Sequence, residues 1–241
     1  MSGKQDLTRQ EEFKRATAGA LRWFARSFSR RLCAEVDHLI VPSSQMVEVL
    51  GRYGIDTPST VLPTGIDLGE FAGGDGAAFR HAHAISPQRP TLVTVSRLAQ
   101  EKNIAFLLEV ARALAHEFPT LLFIIAGEGP DAARLQSRSR ELGLEGSVRF
   151  FGNLDRRTRL LDCYRAGDVF VFASPTETQG LVLAEALATG LPVAAVDGPG
   201  VTETLRPGVD AVIVPADPAA TRAERLAMEI GQLLGDRRRR D

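Results

Sequence analysis

From Thr91 onward the chain repeats one pattern: a short apolar run, then a longer stretch with helical spacing. The apolar runs cover 91–95, 121–126, 147–151, 168–173, 192–196 and 211–214. Helical stretches lie near 103–117, 130–143, 156–166, 180–189, 200–206 and 218–235. Strands this rich in Val, Ile, Leu and Phe have no polar face, so both faces must be covered, and the intervening helices supply the cover. The expected fold class is α/β, a Rossmann-like parallel sheet with helices on both faces and right-handed crossovers. Ligands of such sheets bind beyond the carboxyl ends of the strands. The loops of interest therefore begin at Ser96, Gly127, Gly152, Ser174 and Asp197.

The residues before Thr91 are less regular. Residues 4–35 are polar and helix-friendly, and within them Leu21, Trp23, Phe24, Phe28 and Leu32 recur near helical spacing with Arg22, Arg26, Arg30 and Arg31 between them. A helix of this kind packs on its own domain with a solvated arginine face, the commoner arrangement, or lies on anionic lipid. A short βαβ follows: a strand over 37–41, a helix capped by Ser43 or Ser44 and running to about Tyr53, and a strand over 60–63. Residues 64–90 read as linker plus a weak helix. Arg237–Arg240 reads as a solvated, frayed tail.

Bulk properties exclude several classes. The 241 residues suit one or two domains, and the formal charge of −1, from 29 basic and 30 acidic side chains, provides no field to draw in nucleic acid. Cys33 and Cys163 stand far apart and read as reduced thiols, and no Cys/His cluster has metal-ligand spacing. No apolar leader core follows Met1 and no run reaches the roughly 18 apolar residues of a membrane span. The chain reads as cytoplasmic and soluble, with peripheral contact at the membrane inner face left open.

Two loops carry the chemistry. Val95-Ser96-Arg97-Leu98-Ala99-Gln100-Glu101-Lys102-Asn103 leaves a strand and enters a helix. Two cations at a helix start oppose the macrodipole unless an anion sits between them, held by the Arg97 fork and the Lys102 point charge. The plainer alternative pairs one of them with Glu101. The run Ser174-Pro-Thr-Glu177-Thr-Gln-Gly180-Leu-Val-Leu-Ala-Glu185 makes the same kind of transition. Free N–H groups of Gly180, Leu181 and Val182 would face the crevice, a site for phosphate. Glu185 could accept bonds from paired sugar hydroxyls, and Glu177 could reach the far side of the ligand. The alternatives are a Ser174–Glu177 capping box and a solvent-facing helical glutamate at 185. Gly127-Glu-Gly129-Pro-Asp-Ala132 fits G-x-G-x-x-A, the short dinucleotide fingerprint, but it opens an internal strand unit and reads as a tight turn shaping the crevice. Gly198-Pro-Gly-Val-Thr-Glu203 either lines the ligand or simply turns the chain.

Together these loops resemble glycosyltransferase family 4, whose members have the two-domain GT-B fold. The matching stretches are VSRLAQEKN (95–103), GEGP (127–130), VRFFGNL (148–154), SPTETQGLVLAEALATGLPV (174–193) and GPGVTE (198–203), and the resemblance covers about residues 36–235. It implies retaining transfer of a hexose from a nucleoside-diphosphate sugar, a UDP-sugar favoured, to a hydroxyl acceptor that is a sugar or a lipid. No cofactor and no obligatory metal are implied. Arg97 and Lys102 stand where the family grips the donor diphosphate, Glu177 where it contacts the sugar and Glu185 where it holds the ribose. Thr178, Gln179, Gly180, Leu181 and Val182 stand where backbone amides meet sugar and diphosphate, and Leu154 where the chain contacts the base. Gln179 and Thr64 depart from the family's frequent Phe and Asn, and the Thr-Glu-Thr-Gln-Gly-Leu run looks like members that glucosylate diacylglycerol.

The resemblance divides the chain into a remnant of the N-terminal acceptor domain (1–62), a linker (63–90) and a nucleotide-sugar-binding domain (91–241). It also implies a missing N-terminal partner domain. The chain alone is then incomplete, a fragment or half of a split enzyme, and a non-catalytic nucleotide-sugar-binding module is the rival reading.

Overall fold

A computed structural model describes residues 19–218 and 221–236. The expectations for residues 4–18 and for Arg237–Arg240 fall outside them. The chain forms two compact units, one ending at Pro63 and the other beginning at Thr64.

In the first unit the described residues 19–34 are helical (α1). They are followed by β1 (Leu39–Val41), α2 (Ser44–Arg52) and β2 (Ser59–Val61). The two strands pair in parallel, Ile40 opposite Thr60. Ser43 rather than Ser44 is the cap of α2, its Oγ accepting from the Met46 N–H at 3.2 Å. Tertiary contacts tie α1 to the βαβ piece: Thr57 Oγ1 donates to the Cys33 carbonyl at 2.7 Å, and the Arg26 guanidinium lies 4.9 Å from the Tyr53 ring centroid. Leu21, Trp23, Phe24 and Phe28 of α1 remain more than half exposed.

The second unit is built on β3 (Thr91–Val95), β4 (Leu122–Ala126), β5 (Val148–Gly152), β6 (Val169–Phe172), β7 (Val193–Val196) and β8 (Ala211–Val214). All neighbours are parallel, in the order β5-β4-β3-β6-β7-β8. The helices are α3 (Gly76–Ala82), α4 (Ile104–Leu114), α5 (Ala132–Glu141), α6 (Arg159–Arg165), α7 (Leu181–Ala188), α8 (Val201–Thr204) and α9 (Arg222–Gly235). This is the expected α/β class, and each strand matches its predicted run to within two residues.

Alternation along the strands sorts the core into two layers. Leu92, Phe123, Ile125, Val169, Val171 and Ala194 pack on one face, with residues of α4 and α9. Val93, Leu122, Ile124, Phe170, Phe172 and Val193 pack on the other, with residues of α3, α6 and α7. Every strand residue from Leu122 to Ala126 is buried, which is why β4 reads as an unbroken apolar run. Both cysteines are free thiols, and burial pushes the Cys163 thiol up to about 12, so it cannot serve as a nucleophile at neutral pH. Among the described residues no helix is long and apolar enough to cross a membrane.

Residues 64–90, read as linker with a weak helix, carry a 3₁₀ turn (Leu68–Phe71) and α3. Their far end is fastened to the sheet. Arg80 donates through Nε to the Ala166 carbonyl at 2.9 Å and through Nη1 to the carbonyls of Ser86 and Arg89, each at 2.9 Å. Its Nη2 pairs with Asp168 Oδ2 at 3.1 Å, and the same oxygen accepts from the Thr91 N–H at the start of β3. The Arg80 side chain is only 11% exposed. Arg80→Ala removes the cation beside Asp168 and one donor from each of three carbonyls, and should cost about 3 kcal/mol. Urea unfolding measures this directly; a loss below about 0.5 kcal/mol, the range of ordinary surface changes, would contradict the role.

Candidate functional site

Strand order reverses between β3 and β6. The connection from β3 runs one way to β4, and the chain returns to β6 on the other side, so the loops after these two strands diverge and leave a crevice. A cleft of about 890 Å³ opens there, at the carboxyl ends of the strands. Its walls include Arg97 and Lys102 from the β3 loop, Leu154 from the β5 loop, and Glu177, Thr178 and Gln179 from the β6 loop. Leu181, Val182 and Glu185 of α7 complete the set. Every residue to which the resemblance gives a donor contact lines this one cleft except Gly180, the residue before α7.

The β3 and β6 loops are stapled together. Ser174 Oγ donates to the Glu101 carbonyl at 3.1 Å, and Asn103 Nδ2 to the Ala173 carbonyl at 3.3 Å. Lys102 Nζ reaches Glu177 Oε2 at 2.9 Å, with both side chains less than a quarter exposed. Lys102 thus pairs with Glu177, not with Glu101. The Arg97 side chain is exposed and, among the described residues, has no carboxylate partner. The capping-box alternative for Glu177 fails because no helix begins at Ser174. Residues 175–180 are non-helical, with a turn at 175–176 and a bend at 178–179, and α7 starts at Leu181.

Gly180 explains that late start. It sits at φ +64°, and a Cβ there would lie 2.8 Å from the Gly200 carbonyl oxygen and 2.9 Å from Leu183 Cδ1. Only glycine turns the chain into α7 at this spot. The N–H groups of Gly180, Leu181 and Val182 donate to no other backbone group among the described residues, as a helix start requires. The fifth loop supports this turn from behind. Thr204 Oγ1 donates to the Gln179 carbonyl at 2.6 Å, and none of residues 198–203 lines the cleft.

The G-x-G segment has a similarly structural explanation. Cβ atoms at Gly127 and Gly129 would collide with the carbonyl oxygens of Ser96 and Leu98. The Leu98 N–H donates to the Glu128 carbonyl at 2.9 Å, and the Asp131 N–H to the Leu98 carbonyl at 2.9 Å. These glycines let the β4 loop lie flat against the β3 loop, the tight turn expected from the sequence.

Glu185 is not a solvent-facing helical glutamate. It is 5% exposed, with the Tyr164 hydroxyl donating to Oε2 at 3.0 Å and Arg156 Nη2 to Oε1 at 2.6 Å. Burial first, and then the neighbouring Glu185 charge, push the Tyr164 phenol well above its ordinary range, so it stays a donor. Sequence reasoning missed both partners. Tyr164 lies among the core residues of α6, and Arg156 stands in the polar Asp-Arg-Arg-Thr run before it, so neither carries a local signal.

Residues 76–241 match the family described as glycosyl transferases group 1, and residues 7–70 match glycosyltransferase family 4. The chain belongs to this glycosyltransferase family. It is 33% identical over 170 residues to an alpha-monoglucosyldiacylglycerol synthase of Streptococcus pneumoniae, an alignment spanning 68% of this chain and 38% of that protein. It is 33% identical over 220 residues to a D-inositol 3-phosphate glycosyltransferase of Nocardia farcinica, spanning 87% and 48%. The pneumococcal O-GlcNAc transferase GtfA, solved in complex with UDP and GlcNAc, superposes with a TM-score of 0.69 at 27% identity, over 84% of this chain and 39% of that one. The GT-B relatives confirm the fold class. The chain spans less than half the length of each of these relatives.

Tyr164→Phe leaves Glu185 Oε2 without its buried donor, which should cost about 1–3 kcal/mol. Chemical denaturation of the wild type and the variant measures it, and equal midpoints would show that the hydroxyl contributes nothing to holding the carboxylate.

Proposed function

We propose that this chain is the donor-binding half of a retaining glycosyltransferase that moves a hexose from a UDP-sugar to a hydroxyl acceptor. One observation carries the reading: two cations, a helix start and two carboxylates converge on a single cleft at the point where strand order reverses. In this reading the diphosphate lies between Arg97, Lys102 and the first N–H groups of α7. Glu185 accepts the ribose hydroxyls, Glu177 the sugar, and the Leu154 segment meets the base. Donor diphosphate competes with Glu177 for Lys102, so binding frees the glutamate to turn toward the sugar hydroxyls.

The chemistry follows from charge. As the glycosidic C–O bond breaks, negative charge grows on the leaving diphosphate. Fixed cations and oriented amides therefore favour the transition state over the ground state. Each such group is worth about 3 kcal/mol, or roughly 100-fold in rate. Two carboxylates flanking a sugar also suit a glycosidase. Glu177 and Glu185, however, flank a phosphate-type helix start on one loop–helix segment, which a glycosidase does not need.

We assign residues 1–62 to the end of an acceptor-binding domain, 63–90 to its linker and 91–241 to the donor domain. Acceptor recognition, of a sugar or a lipid, then belongs to the length of the relatives that this chain does not span. A cytoplasmic enzyme touching the membrane inner face through α1 fits the exposed Leu21, Trp23, Phe24 and Phe28 beside their arginines. The short span favours a second reading of the chain taken alone, as a module that binds the donor without turning it over.

Calorimetric titration with UDP should give a Kd between about 1 μM and 1 mM, or about 4–8 kcal/mol; no binding of UDP or GDP would overturn the donor reading. Arg97→Ala should weaken UDP at least tenfold while leaving uridine within about twofold, because the lost contact is to phosphate. Equal losses for the two ligands would remove that role from Arg97.

A further inference from the structure

The carboxylate that the donor reading gives to the ribose is already occupied at both oxygens, and its two partners differ in kind. Tyr164 is fully buried in the core and does not line the cleft. Arg156 does line the cleft, stands on the loop between β5 and α6, and has a side chain 62% exposed. The Arg156–Glu185 pair therefore forms inside the cleft, on the ground a pentose diol would need, whereas the Tyr164 bond comes from the core side.

Arg156 also has somewhere else to go. Its guanidinium lies 5.9 Å from the Phe71 ring centroid. It lines a neighbouring cavity of about 410 Å³ together with Glu70, Phe71 and Arg157, so it forms part of the wall of both cavities. Phe71, itself buried, already has the guanidinium beside its ring, and Glu70 brings a carboxylate to the same cavity for a guanidinium turned out of the cleft.

Electrostatics give this arrangement a purpose. A nearly buried carboxylate with no counter-charge costs several kcal/mol, and in the donor-free cleft Arg156 is the cation that meets Glu185. A carboxylate offers about four acceptor positions. Tyr164 takes one on Oε2, and the short Arg156 contact takes the Oε1 side.

We propose that Arg156 is a displaceable latch on Glu185. It compensates the carboxylate while the cleft is empty and yields its place to the pentose hydroxyls of the donor, its guanidinium turning toward Phe71 and Glu70. The proposal rests on the donor reading and deepens it. Tyr164 is then the fixed positioning residue and Arg156 the moving one. Nucleoside affinity in the wild type is lowered by the fraction of molecules in which the latch is closed.

The test compares uridine, UDP and pyrophosphate binding to the full chain and to Arg156→Ala, by ligand-observed NMR and calorimetry. For a latch closed in about nine molecules of ten, removing it tightens uridine about tenfold. Pyrophosphate, which does not reach Glu185, should not tighten. In a Glu185→Gln background the same substitution should leave uridine unchanged. Without nucleotide, Arg156→Ala should melt below wild type, and saturating UDP should close that gap. If Arg156→Ala does not fold, Arg156→Gln keeps a hydrogen-bonding side chain while removing the charge, and its uridine affinity is read instead. Uridine that binds more weakly, or equally, in the variant while the wild type binds UDP overturns the latch and leaves the donor site standing. A wild type that binds neither uridine nor UDP overturns both.

Discussion

The reversal of strand order between β3 and β6 is the constraint on which the site depends. A parallel sheet whose connections diverge at one point has a gap above that point. The molecule then fixes the gap's width. Ser174 to Glu101, Asn103 to Ala173 and Lys102 to Glu177 bind the two diverging loops together at their roots. Without those contacts the cations on one loop and the carboxylates on the other would move independently. With them, six charged side chains that lie as much as 88 positions apart, from Arg97 to Glu185, share one cleft.

The rest of the second unit serves that arrangement. Its strands are buried on both faces, so their positions are set by packing in two layers rather than by any single contact. Arg80 fastens the segment before β3 at the amino ends of the strands, opposite the cleft, through Asp168 and the Thr91 N–H. Glycine does comparable work around the ligand side. Gly127 and Gly129 let one loop lie against another, and Gly180 aims the start of α7. These sites tolerate no side chain for steric reasons, independent of any ligand.

Much of this was legible in the sequence, because two-sided burial writes itself as continuous apolar runs. β3 and β8 match their predicted bounds residue for residue, β2 and β5 are displaced by one or two residues, and β1, β4, β6 and β7 lose a residue or two at their ends. The cleft residues were legible because the loop-to-helix transitions carry charges that make poor sense without an anion. What the sequence did not show were contacts between distant segments. Spacing alone offers Lys102 its neighbour Glu101, yet its partner is 75 positions away. The capping box at Ser174 had the right spacing, but Gly180 moves the helix start to Leu181. Tyr164 looked like one more core aromatic, and nothing in α6 announces that its hydroxyl meets a carboxylate on α7. Spacing within a segment is read from the chain; the partner of a charge is read only from the fold.

The central claim is that the start of α7 and the two loops beside it form one nucleotide-diphosphate site. Amide chemical-shift mapping during a UDP titration tests it most directly. The account predicts that the largest shifts fall on Gly180, Leu181 and Val182, with a second set on residues 96–103 and around Leu154. Shifts confined to residues outside this cleft, or none at all at saturating UDP, would contradict it.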